Sequence, residues 1–346
     1  MDMLEVVRKL CALGGPSGYE QDVSQTAKEL LWPLTDSVSI DPLGNVIGLH
    51  SCGRPDAKKI LLDAHLDQVG FMVTGYDEGF LRFTSIGGID PRMLQDREMI
   101  VLTKPEPTLG VVACLPPHIQ SAADHNKSVP IEDLRIDVGL SEEEVRALIP
   151  VGTPIVYRAD CFPMAAGGQI CSKALDDRSC FTILLRTLEI LQGKELDVDV
   201  YVMGSVQEEV AGSGAAVGTF SVDPDCCIAV DVTFAWTPDV TLDDAPCKMY
   251  GGPCIGVGPN MTWWMTDRMV DTAKAMEIPY QLEVMEGHTG TNGWHMQLAR
   301  EGVPTSIVSL PLKYMHSPIE VVALDDMENC AQLLAAFIQT LGKEAM

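Results

Sequence analysis

An α/β domain interrupted by a β-rich insertion is the fold class this chain predicts, and three observations predict it. Apolar strand-like runs alternate with helical patterns in both the first and the last parts of the chain. From about residue 70 to residue 160 the alternation gives way to short β-like runs separated by turns. At 346 residues there is length for two domains, or for one large domain carrying an insertion. The expected division is 1–69 and 161–346 for the α/β domain and 70–160 for the insertion.

Each element follows from local pattern. Leu4, Val7, Leu10 and Leu13 recur at helical spacing until Gly14-Gly15-Pro16-Ser17-Gly18 stops them. Val23, Ala27, Leu30 and Leu31 mark a second amphipathic helix, and Val38–Ile40 and Asn45–Leu49 read as strands joined by the turn Asp41-Pro42-Leu43-Gly44. A core strand starts at Ile60 and breaks off in His65-Leu66-Asp67. The β-like runs Phe71–Thr74, Leu81–Thr84, Met99–Leu102, Gly110–Cys114 and Pro154–Tyr157 follow. One helix interrupts them, Ser141–Leu148, opened by a serine with Glu144 three residues on as a capping box. Beyond residue 160 a helix is expected over Asp177–Leu191, then a strand through Val198, Val200 and Val202. Next come a helix near Ser213–Phe220, a strand Cys226–Val232 and a helix Asp267–Met276. A strand near Gln281–Met285, a helix Asn292–Glu301, a core strand Ser306–Leu310 and a closing helix Leu324–Leu341 complete the reading.

Composition narrows the function classes. A formal charge of −25 argues against nucleic acid and against anionic lipid, both of which require a basic face. The charge is spread along the chain, so solubility is its plain explanation, and an acidic interior that attracts an ammonium group is the alternative. Eleven cysteines make an odd number with no CxxC pair, which suits reduced thiols in a cytosolic protein. Met1-Asp2-Met3-Leu4-Glu5 has no basic and apolar leader pattern, and no apolar run reaches membrane-spanning length. A cytoplasmic location is expected.

The stretch Val202-Met203-Gly204-Ser205-Val206-Gln207-Glu208-Glu209 carries the strongest chemical signal. Two adjacent carboxylates at the mouth of a core strand are costly to bury without a partner such as a metal. Alone, the stretch also reads as an acidic solvated loop. Four further positions join it. His65 ends one strand, with Asp67 placed to hydrogen-bond its imidazole. Asp176-Asp177 precedes a helix, where a plain N-cap is the competing reading. Asp231 ends the strand Cys226–Val230, and His316 follows Ser306–Leu310. Open α/β sheets place their sites at such strand ends. A mixed histidine and carboxylate set, with no cysteine at ligand spacing, suits a pair of ions about 3.5–4 Å apart sharing a carboxylate and a water. Zn²⁺ or Co²⁺ is favoured, with Mn²⁺ also compatible.

As an ordered set, these residues resemble one metallopeptidase family. His65-Leu66-Asp67, Ala174-Leu175-Asp176-Asp177-Arg178, Gln207-Glu208-Glu209, Val230-Asp231 and Tyr314-Met315-His316-Ser317-Pro318 match the TET-like and glutamyl aminopeptidases, peptidase family M forty-two, whose members are often labelled endoglucanases or cellulases. Gly15-Pro16-Ser17-Gly18-Tyr19-Glu20, Gly87-Gly88-Ile89-Asp90 and Arg300-Glu301-Gly302-Val303-Pro304-Thr305 extend the resemblance over nearly the whole chain. It implies a zinc-peptidase-like α/β/α catalytic domain with an inserted β-barrel-like (PDZ-like) domain that mediates dimer contacts. It implies that His65 and Asp231 ligate one ion, Glu209 and His316 the other, and that Asp176 bridges them. Glu208 is then the general base, Asp67 orients His65, and Asp176-Asp177 is joined by a cis peptide. A homo-oligomer is implied, a dimer building block or a tetrahedral dodecamer.

The expected function is therefore a dinuclear aminopeptidase acting on short peptides. A deacylase of small N-acyl compounds and a non-catalytic oligomeric shell are the alternatives. A β-glucanase is disfavoured, because glycosidases use two carboxylates and no metal pair. Three departures from the family pattern bear on substrate preference. Gln68 stands where a glutamate is usual, Asp63 is an extra acid in its strand, and Asn292 replaces an aspartate expected near the substrate. Trp263, Trp264 and Trp294 could line a pocket, and buried aromatic packing is the favoured expectation. No substrate-binding residue is legible.

Overall fold

The computed structural model describes residues 1–120, 127–165, 168–241, 244–245 and 247–342. Strands Lys58–His65, Val198–Ser205, Cys226–Phe234 and Thr305–Leu312 lie parallel at the centre of an eight-stranded sheet. On one side the sheet continues through Val46–His50 and Ser37–Ile40, both antiparallel to their neighbours. On the other it continues through Cys254–Val257 and Gln281–Val284.

Both faces of the central strands are buried, because their apolar residues run without interruption rather than alternating with polar ones. Ile60, Leu62 and Ala64 face the larger core beneath the helices Met3–Cys11, Leu175–Leu191 and Leu324–Gln339. Leu61, Cys227, Ala229, Met203 and Ile307 face a smaller cluster under Ser213–Val222 and Gly293–Met296. Strand periodicity of two places Asp63, His65 and Asp231 on this second face. The register pairs Ser205 with His65 and Ser309 with Asp231. The smaller apolar cluster thus gives way, toward the carboxyl ends of four parallel strands, to polar side chains.

Gly70–Asp77, Phe80–Ile86, Arg135–Asp137, Thr108–Ala113, Glu98–Val101 and Pro154–Tyr157 close into a barrel in that order. Phe71 anchors its interior, edge-on to Phe83 at 5.6 Å and to Tyr157 at 5.3 Å. Ser141 caps Glu142–Leu148 through the expected capping box. Arg135–Asp137, three residues long, is too short for a periodic signal. A small sheet of Phe162–Pro163, Gln169–Ser172 and Glu320–Ala323 adjoins the α/β layers.

Two expectations about elements are corrected. The helix expected over Asn292–Glu301 extends only from Gly293 to Met296: beyond it the backbone tightens into turns, the Leu298 N–H donating to His295 and the Ala299 N–H to Met296, and Arg300 (φ 54°) takes left-handed backbone. Trp263 is not packed inside: it is 74% exposed at the first turn of the helix Trp263–Ala275. Trp264 is half-buried against the Arg268 guanidinium, and Trp294 is half-buried and stacks on His288. All eleven cysteines are free thiols. No helix among the described residues is long and apolar enough to cross a membrane.

Candidate active site

His65, the last residue of Lys58–His65, is fully buried, and its Nδ1 lies 3.1 Å from the carbonyl oxygen of Asp67. A carbonyl only accepts, so Nδ1 carries the proton and Nε2 faces the site. His316 is set up in the same way. Its Nδ1 lies 2.7 Å from the carbonyl of Gly88, on the loop leaving the barrel strand Phe80–Ile86. Its backbone is left-handed (φ 59°), which turns Nε2 inward.

Asp176 stands between the two imidazoles. Its Oδ1 is 3.0 Å from His65 Nε2 and its Oδ2 is 3.2 Å from His316 Nε2. Glu209 Oε2 is 3.1 Å from His316 Nε2, and Glu208 Oε2 is 3.9 Å from His65 Nε2. Asp231 joins from the neighbouring strand, one of its oxygens accepting from its own successor's N–H, Val232, at 2.8 Å. The five residues expected as ligands, together with Glu208, therefore lie around one space. The strand before Glu208 ends at Ser205, so the two glutamates open a short helix, Glu208–Ala211, instead of sitting on the strand itself.

Asp67 does more than the sequence suggested. Its Oδ1 is 3.4 Å from His65 Nδ1. Its carboxylate also accepts the N–H groups of Glu208 and Glu209, each at 3.1 Å, and the Ser17 hydroxyl at 2.6 Å. It clamps the two-glutamate turn to the end of the His65 strand. Burial opposes its charge, but the histidine and these donors hold its pKa below the ordinary value. Asp67→Ala is expected to cost about 2–4 kcal/mol, since it leaves two half-buried N–H groups and the buried Ser17 hydroxyl unmatched. Urea unfolding measures that loss, and it should be accompanied by a fall in turnover.

Asp177 and Glu320 were not read as site residues. The segment Leu175–Leu191 is kinked at its start, where Asp176 (ψ 101°) and Asp177 (φ −123°, ψ 25°) leave helical geometry, so Asp177 stands at the head of the regular helix. Its Oδ2 accepts the His65 N–H at 3.1 Å, and its Oδ1 is buried without a partner. Burial and the neighbouring Asp231 push its pKa well up. The Asp176–Asp177 peptide is cis. Glu320 accepts from the N–H groups of Leu175 (2.7 Å), Asp176 (3.2 Å) and His316 (2.9 Å), joining the two segments that carry Asp176 and His316. Its only trace in the sequence is an acid heading the apolar run Val321-Val322-Ala323.

Two sequence departures explain each other. Asn292 is buried, and its amide donates to Asp63 at 2.7 Å and to Ser205 Oγ at 2.9 Å. The amide is therefore turned toward the Asp63 carboxylate beneath the site rather than toward substrate. An amide suits that position, because a second carboxylate there would oppose Asp63 in a buried space. Gln68 accepts from Lys173 Nζ at 3.1 Å; burial lowers this lysine to about 7, with the Arg178 charge adding to the effect.

The electrostatics of the cluster point to cations. Burial pushes Glu208 up to about 9 and Asp231 to about 7, with neighbouring carboxylates adding to both. Burial works the other way on His316, yet Asp176 and Glu209 raise it to about 11. Glu209 Oε1 is buried with no partner. His65, Asp177 and Asp231 bring ligand atoms within 4.8 Å of one another, as do His65, Asp176 and Glu209. So dense a set of buried carboxylates, facing imidazole nitrogens and an orphaned oxygen, fits divalent metal. The cluster opens into a cavity of about 290 Å³ that also reaches Phe234, Glu283, Met285 and Met315, and among the described residues no lysine or arginine lines it.

Comparison with known proteins agrees with this geometry. Residues 44–333 match the family model of the M42 glutamyl aminopeptidases. The chain is 35% identical over 342 residues to the lysyl aminopeptidase of Pyrococcus furiosus, covering 97% of each sequence. It superposes on a TET aminopeptidase from a marine-sediment Thaumarchaeota archaeon with a TM-score of 0.93 and 31% identity, over 99% of this chain and 97% of that one. It superposes on the Pyrococcus horikoshii TET1 peptidase, which can assemble into a tetrahedron or a large octahedral shell, with a TM-score of 0.85 and 28% identity, over 98% and 100%. The chain belongs to the M42 glutamyl aminopeptidase family and is an aminopeptidase, a hydrolase of peptide bonds.

Proposed function

We propose that this chain removes N-terminal residues from short peptides using two divalent ions, Zn²⁺ or Co²⁺ with Mn²⁺ also compatible. His65 and Asp231 would hold one ion and Glu209 and His316 the other, with Asp176 shared between them. The observation that carries this reading is the position of Asp176, whose two oxygens each address a different imidazole. When bound, the ions acidify a water and polarise the scissile carbonyl. Glu208 accepts the proton of the attacking water on its carboxylate and returns it to the leaving amine nitrogen. Asp67 holds the N–H of Glu208 and so sets where that carboxylate stands. Acid-lined walls without a lysine or arginine suit a free, protonated α-amine and make the enzyme an exopeptidase.

The barrel is proposed as the unit through which copies associate, and a closed homo-oligomer as the working form. We place the boundaries of the catalytic part at 1–69 and 161–346 and of the barrel part at 70–160. The reading is tested with matched leucyl peptides whose N-terminus is free or acetylated, on metal-loaded protein. The free peptide is expected to be cleaved at least about 100-fold faster, since acetylation removes the charge that the acidic walls bind. Preference for the acetylated peptide would favour the deacylase reading, and cleavage of neither would favour a non-catalytic shell.

A further inference from the structure

Away from the metal cluster, the cavity contains one carboxylate that no part of the proposed mechanism uses. Glu283 lies on the strand Gln281–Val284, paired with Gly256 on its neighbour. It accepts a hydrogen bond from the Thr233 hydroxyl through Oε1. Its other oxygen, Oε2, is buried and completes no hydrogen bond of good geometry among the described residues, and the Ser309 hydroxyl, which also lines the cavity, is its near neighbour. Burial pushes the Glu283 pKa up, with Thr233 and Ser309 holding it partway back.

From this arrangement we propose that Glu283 selects peptides whose N-terminal side chain is cationic, lysine or arginine. The assignment rests on the aminopeptidase reading and names the substrate class of that site. A substrate bound by its α-amine and scissile carbonyl at the cluster projects its first side chain into the rest of the same cavity. Phe234, Met285 and Met315 there offer apolar surface to a methylene chain, the way a long basic side chain buries its stem. The chain's charged end then meets an oxygen that otherwise lacks a partner. An aliphatic side chain fills the same walls but leaves Oε2 unsatisfied, at the cost attached to any unmatched buried acceptor. An acidic side chain fares worst, because it meets a carboxylate and no lysine or arginine lines the cavity.

The test compares p-nitroanilides of lysine, arginine, norleucine, leucine and glutamate on the metal-loaded, full-length protein. Norleucine repeats most of the lysine stem without its charge. Lysine and arginine are expected to exceed norleucine in kcat/KM by about 10–100-fold and glutamate by more than about 100-fold. Glu283→Gln should reduce the lysine-to-norleucine ratio about tenfold or more, Glu283→Asp should retain part of it, and Glu283→Lys should raise glutamate relative to lysine. Equal rates for lysine and norleucine in the parent would overturn the assignment without any variant, and so would an unchanged ratio in a folded Glu283→Gln protein. Failure of the parent to cleave any of the five overturns the aminopeptidase reading itself, an outcome distinct from cleavage in the wrong order.

Discussion

Replacing Glu208 with glutamine is expected to lower kcat for free-amine peptides by about 10²–10⁴-fold while leaving the metal content unchanged. The side chain lines the cavity, 3.9 Å from His65 Nε2, and its backbone N–H is pinned by Asp67 at 3.1 Å. Glutamine keeps that volume and can still hydrogen-bond, but it cannot take up and release a proton. Its loss should therefore appear in kcat more than in KM. Burial, with Asp231, Glu209 and Asp176 adding to it, pushes the Glu208 carboxyl up to about 9, so it serves as a base near neutral pH only when cations stand beside it. Elemental analysis alongside single-turnover kinetics separates a lost base from a lost ion. Turnover within threefold of the parent at equal metal content would remove Glu208 from the proton transfer.

The second large effect concerns metal removal. Protein stripped with a chelator is expected to lose at least about 100-fold in activity and to regain it with Zn²⁺, Co²⁺ or Mn²⁺. Its stability should then depend on pH with a definite sign. Glu208 (about 9) and Asp231 (about 7) lie above the ordinary carboxyl range when folded, and His316 (about 11) lies above an ordinary imidazole. For all three, the folded chain holds protons that the unfolded chain has released. Stability is accordingly greatest at low pH within this set and falls as pH rises from about 4 toward 9. Bound ions take the place of those protons, so the gap in melting temperature between loaded and stripped protein should widen over the same interval. A stripped protein whose melting temperature is flat or rising from pH 5 to pH 9, or one that stays fully active, would contradict the cluster's proposed role.

Much of the site was legible because buried charge is expensive wherever it occurs in a strand-end pattern. His65, Asp231 and the two glutamates each interrupt or end an apolar run, and that interruption is visible one residue at a time. Asp177 and Glu320 were passed over for the opposite reason. An acid in the first turn of a helix or at the head of a short apolar run such as Val321-Val322-Ala323 is ordinary in sequence, and only packing shows that these two are dry. Glu283 is harder still: it lies in the short strand Gln281–Val284, and nothing local marks its unpartnered oxygen.

The pattern of apolar periods by itself determined the α/β layers and the β-rich interruption, and residue type at the strand ends marked the candidates for holding metal, since burial and ligand chemistry are properties of residue type and spacing. Only the tertiary structure decided how those residues face one another. It put Asp176 between two imidazoles, turned Asp67 into a clamp for the glutamate turn and set Asn292 against Asp63. Such contacts join segments more than a hundred residues apart, and their geometry is set by strand register and helix packing, which no single stretch of the chain encodes.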